Sequence, residues 1–165
     1  MTRTAGVTVG FFGGFIFDGR DWQAFDAHSG ARPELAEPWL SVVIYDSDIA
    51  DLQYWPAGAG SGTAYLGHTP RKYFGDENAS APTDVSREAE GLASWLVRLH
   101  AGGDESQLRD LITSFLASDE DGDHGDEFVD NDADHDLADT FVEVKLARFL
   151  AAVGLPAPPG LPDPS

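Results

Sequence analysis

A chain of 165 residues that sets 29 Asp and Glu against 10 Lys and Arg, for a formal charge of −19, is repelled at long range by phosphate backbones and anionic bilayers. Direct nucleic-acid and membrane-surface binding are therefore disfavoured. The absence of Cys removes disulfides, thiolate metal sites and cysteine nucleophiles together. With 42 % hydrophobic residues, including ten Phe and four Trp, the chain has the apolar mass for one core, and at this length a second is not expected.

Val7 to Phe17 is rich in Val and Phe and reads as a strand or glycine-bent strand pair that closes at Asp18-Gly19. Gly10, Gly13 and Gly14 interrupt it, and no charged region or small-residue cleavage site accompanies it, so it is not read as a signal peptide. No eighteen apolar residues run together anywhere, and a cytoplasmic protein is expected. Residues 18–38, with Gly30, Pro33 and Pro38, read as a loop region anchored by Trp22 and Phe25. Trp39 to Tyr45 is the clearest strand and ends at Asp46-Ser47-Asp48. Ile49 to Trp55 alternates apolar with polar, Pro56 to Gly62 is a glycine-rich turn, and Thr63 to Gly67 forms a further strand. Strands this close together favour an antiparallel meander of about four strands.

At Pro82 the apolar period lengthens to that of a helix. Val85, Ala89, Leu92, Leu96 and Leu99 share a face, Thr83 and Asp84 stand as cap candidates, and Gly102-Gly103 ends the run. A second helix begins at Asp104, with Gln107 placed to reach back, and presents Leu108, Leu111, Ile112, Phe115 and Leu116. A third is expected from about Asp136 to Val153, turning Leu137, Phe141, Val144, Leu146, Phe149 and Leu150 inward. Gly154 stops it, and five prolines keep residues 156–165 extended. Strands first and helices last predict an α+β fold, one domain over residues 1–155 followed by a Pro-rich tail.

The unusual feature lies between the second and third helices. Asp119 to Asp139 holds eleven carboxylates and no Lys or Arg, so −11 of the net −19 sits in 21 residues. A halophilic adaptation would spread the acidity over the whole surface. A dense anionic face attracts a cationic partner and raises its association rate, and the interposed Phe128 and Val129 supply the apolar anchor that charge alone lacks. In character the segment is similar to the faces of nucleic-acid mimics and immunity proteins that occupy the basic cleft of a nuclease or other toxin. The expected function is a non-enzymatic inhibitor or immunity-type protein that binds a basic partner. Asp121, Asp123, Asp126, Glu127, Asp130, Asp132 and Asp134 are expected at the contact, with Phe128 as anchor.

The same carboxylates also suit a hard cation. With Asp119, Asp121 and Asp123 at positions one, three and five of a calcium loop, His124 falls where Gly is needed, Asp126 where a hydrophobe is usual, and Asp130 in place of the bidentate Glu. A register starting at Asp130, Asp132 and Asp134 has no acid at position twelve. Neither is an EF-hand, which leaves a looser Ca²⁺ site as the second reading and a solvated acidic loop as the bland one. His124 and His135 lie eleven residues apart, not a recognised ligand spacing, and the surrounding anions favour their protonated form, which opposes metal binding.

A third reading centres on Asp46 and Asp48. The apolar run Val42 to Tyr45 followed by Asp46-Ser47-Asp48 resembles the start of a haloacid-dehalogenase-type phosphatase. That resemblance implies Asp46 as nucleophile, Asp48 as acid/base and a parallel sheet; the alternative is a turn between antiparallel strands. Gly58, Gly60 and Gly62 lack the Lys-Ser/Thr of a phosphate loop, so a wide hairpin turn is expected there. Arg71-Lys72-Tyr73-Phe74 reads as surface charge beside core rings, and His28 next to Ser29 is no evidence of a triad.

Overall fold

A computed structural model describes residues 13–27, 34–67, 84–116 and 142–164. Five strands, β1 (Gly13–Phe17), β2 (Trp22–Phe25), β3 (Trp39–Tyr45), β4 (Ile49–Trp55) and β5 (Thr63–Gly67), form one antiparallel sheet in the order β2-β1-β3-β4-β5. Three helices follow: α1 (Val85–His100), α2 (Glu105–Leu116) and α3 (Val142–Ala152). The architecture is α+β, with the sheet in the N-terminal half and the helices in the C-terminal half.

The sheet is one strand larger than expected. Trp22–Phe25 has no β-branched residue and reads locally as loop, yet it pairs with β1 from Phe17↔Trp22 to Gly14↔Phe25. The turn before it makes the hairpin: the Asp18 carboxylate accepts from the N–H groups of Arg20 and Asp21, each at 2.8 Å, and Asp18 N–H donates to the Asp21 carbonyl at 3.2 Å. Those backbone donors hold the Asp18 carboxyl below the usual Asp range. The Trp22 ring then packs on Phe17 with centroids 5.1 Å apart. A tertiary contact has overridden weak local propensity.

Period-two alternation divides the sheet into two faces. Leu40, Val42 and Ile44 of β3, Ala50, Leu52 and Tyr54 of β4, and Ala64 and Leu66 of β5 join the core beneath the helices. The opposite face carries Trp39, Ser41, Val43 and Tyr45 against Trp55, Gln53, Asp51 and Ile49 in register.

Helix α1 is capped by Asp84, whose carboxylate accepts from Arg87 N–H at 3.0 Å. Its buried face is wider than the periodicity indicates: Glu88, Gly91, Ala93 and Trp95 join Ala89, Leu92 and Leu96. It ends one residue before the expected glycines, with Ala101 left-handed at φ 53° and Gly102 N–H returning to the Val97 carbonyl. Asp104 caps α2 through Gln107 N–H at 3.1 Å. Helix α3 is described from Val142; its expected start, with Leu137 and Phe141, lies outside the described residues. Val142, Leu146, Ala147, Phe149 and Leu150 are its buried positions, while Val144 is only half-buried because Val142 and Ala147 complete the inward stripe. Phe115 and Phe149 meet edge to face at 5.5 Å and join α2 to α3. After Gly154 the chain stays on the molecule: Leu155 and Pro158 are buried, Leu161 packs on the core, and Trp22 Nε1–H donates to the Pro156 carbonyl at 2.7 Å.

Candidate functional site

Asp121, Asp123, Asp126, Glu127, Phe128, Asp130, Asp132 and Asp134, together with His124 and His135, lie outside the described residues. The structure does describe the two ends from which that segment leaves and rejoins the fold. Leu116, the last residue of α2, and Val142, the first of α3, both belong to the single hydrophobic core, and both helices pack on β5. Residues 117–141 are thus tethered at each end to one scaffold.

The returning end is moored to the turn between β3 and β4. Val142 N–H donates to the Ser47 carbonyl at 2.8 Å, and the Ser47 hydroxyl donates to the Glu143 carboxylate. That Ser–Glu bond is the side-chain half of the mooring, and Ser47 is 6 % exposed. The other Glu143 oxygen, Oε2, is buried with no hydrogen-bond partner among the described residues. Asp46 and Ser47 both adopt left-handed backbone, φ 51° and 61°, and Asp48 N–H closes the turn on the Tyr45 carbonyl at 3.0 Å. Positive φ at both central residues is the backbone that Asn-Gly or Asp-Gly normally supplies, and with Tyr45 paired to Ile49 the connection is three residues long, Asp46 to Asp48. Ser at the second position is unfavourable there, and its two contacts to α3 are what the conformation gains.

Asp46 and Asp48 are exposed at this turn, next to the residue that leads back into the acidic segment. They flank a hairpin between antiparallel strands. The parallel strand implied by the phosphatase resemblance is not found among the described residues. Gly58, Gly60 and Gly62 lie in the connection between β4 and β5, where Tyr54 N–H donates to the Gly62 carbonyl and Gly60 N–H to the Ala57 carbonyl, as a wide turn requires.

A polar node that sequence reasoning missed lies under this second turn. Glu88 is 1 % exposed; one of its oxygens accepts from the Tyr54 hydroxyl and the other from Ser61 N–H at 2.8 Å. Burial first, then the Glu88 hydrogen bond and charge, push the Tyr54 phenol well above its ordinary value. Gly60 and Gly91 close the node, since a methyl group on either would collide with the Tyr54 hydroxyl. The signal was present in the sequence: position 88 falls three after Val85 and four before Leu92, inside the apolar stripe.

At the far end of β4, Trp55 is 46 % exposed and donates from Nε1 to Glu37, while its carbonyl accepts from Trp95 Nε1–H at 3.0 Å. A groove of about 310 Å³ beside α2 is lined in part by His100 and Asp104, and Asp104 is occupied as the helix cap. Among the described residues no group of three or more His, Asp or Glu is placed to hold a metal ion, and no helix is long and apolar enough to cross a membrane. No family model, curated protein or solved structure matches the chain.

Proposed function

We propose that this chain is a non-enzymatic acidic binding protein that inhibits a basic partner, in the manner of an immunity protein covering the cationic cleft of a nuclease toxin. One observation carries the reading: eleven carboxylates and no Lys or Arg lie within residues 119–139, in a segment tethered at both ends to a single packed core. Tethering reduces the entropy lost when the segment engages a partner, and the dense charge steers encounter. Asp46 and Asp48 extend the anionic surface onto the folded scaffold at the mooring turn. Asp121, Asp123, Asp126, Glu127, Asp130, Asp132 and Asp134 make the charge contacts, and Phe128 is the apolar anchor. A cytoplasmic setting, where a nuclease finds its substrate, goes with this role.

The test compares the wild-type chain with a variant carrying Asn or Gln at every acid from 119 to 139. Both are used as bait in host extract at low and moderate salt, and any retained protein is assayed for activity with and without each bait. The reading expects a basic protein retained and inhibited by wild type and lost from the variant. Retention by both chains, or by neither, overturns it. A calcium titration that releases heat and raises Tm in wild type alone would transfer the segment to the cation reading.

A further inference from the structure

We propose that Trp55 and Glu37 form a receptor for one arginine side chain of the basic partner. This inference rests on the proposed function for the partner's charge, and its evidence comes from a different part of the molecule. Trp55 is the exposed large hydrophobic residue of the described surface, and its ring is held in place. Its Nε1–H is bonded to Glu37, its carbonyl to the Trp95 indole, and its cross-strand neighbour is Trp39. The in-plane bond from Nε1 puts the carboxylate at the rim of the indole and leaves ring surface to solvent. A guanidinium stacks on such a surface and donates to a carboxylate at its edge, a geometry that a Lys ammonium cannot reproduce.

Charge complementarity supports the same occupant. Glu37 has no Lys or Arg partner among the described residues. Between Arg32 and Arg71 there is no Lys or Arg, and Glu34 stands three residues before Glu37. A neutral glycan also stacks on Trp, but it gains nothing from the Glu37 charge and ordinarily calls for more than one exposed ring. Trp55 and the mooring turn lie at opposite ends of β4, roughly 20 Å apart at the usual rise per residue.

The experiment follows the four indole N–H resonances of the full-length chain while it is titrated with N-acetyl-arginine amide, N-acetyl-lysine amide and a neutral oligosaccharide in turn. The Trp55 resonance should move saturably with the arginine amide, with a Kd on the order of millimolar, and more weakly with lysine. Glu37→Gln should weaken the arginine response by about fivefold, an ordinary value for one exposed ionic contact. The undisturbed Trp22, Trp39 and Trp95 signals then report an intact fold. No saturable movement, equal movement of all four indoles, or a response to the oligosaccharide instead would each overturn the proposal. The chain neutralised across residues 119–139 should respond as wild type does, so a failure at Trp55 and a failure of the acidic segment are read separately.

Discussion

Glu88 shows how one buried charge organises its neighbours. The carboxylate is satisfied by Tyr54 and Ser61, and Gly60 and Gly91 allow the backbones to close over it. Tyr54→Phe removes one partner and leaves a buried carboxylate oxygen without its donor, so it should cost about 1.5–3 kcal/mol in chemical denaturation. Glu88→Gln keeps an acceptor for Ser61 and should cost less than Glu88→Ala. Because the folded state holds the Tyr54 phenol up, its contribution is complete below the ordinary value near ~10 and is lost as the pH rises above it. Tyr54→Phe should flatten that alkaline decline. The Asp18 contribution has the opposite sign: it is present above the ordinary Asp range and lost as the pH falls through its lowered value. Ala101 is a simpler case, since a left-handed Cβ residue ends α1. Ala101→Gly should stabilise the protein by about 0.5–1 kcal/mol, read as a rise in the denaturation midpoint.

Among the elements, the helices were the most legible. Asp84 and Asp104 announce two N-termini, and the apolar spacing of α1 and α2 repeats over several turns. Glu88, Gly91, Ala93 and Trp95 widen the buried face of α1 beyond that spacing, Glu88 because a charged side chain can be buried when partners meet it. Strand β2 was not legible, since its pairing depends on the Asp18 turn and the Phe17–Trp22 contact and not on its own four residues. The β3–β4 turn was legible as a turn, but its docking on α3 joins residues 96 apart and leaves no local trace. Two substitutions separate the components of that docking. Ser47→Ala loses the Glu143 bond and keeps the strained backbone, so it should destabilise by about 1–3 kcal/mol. Ser47→Gly loses the same bond and relieves the left-handed strain, and should be milder by about 1 kcal/mol. Equal effects would show that the backbone conformation costs nothing.

For the whole molecule, charge distribution governs behaviour more than net charge does. Of the net −19, −11 is confined to residues 119–139, while the described core is drawn from the strands and the three helices. Neutralising the segment should therefore leave the fold intact and, at low ionic strength, raise its stability by relieving self-repulsion. Added salt should stabilise wild type more than the variant, because screening acts where like charges crowd. The proposed partner-binding residues were legible only as composition: an acidic run states its charge but not what it meets. The most direct measurement is retention and inhibition of a basic host protein by the wild-type chain against the variant neutralised across 119–139, both verified as folded. Retention and inhibition by wild type alone, weakening as salt is raised, is the result expected; equal retention by the two chains, or none by either, would contradict it.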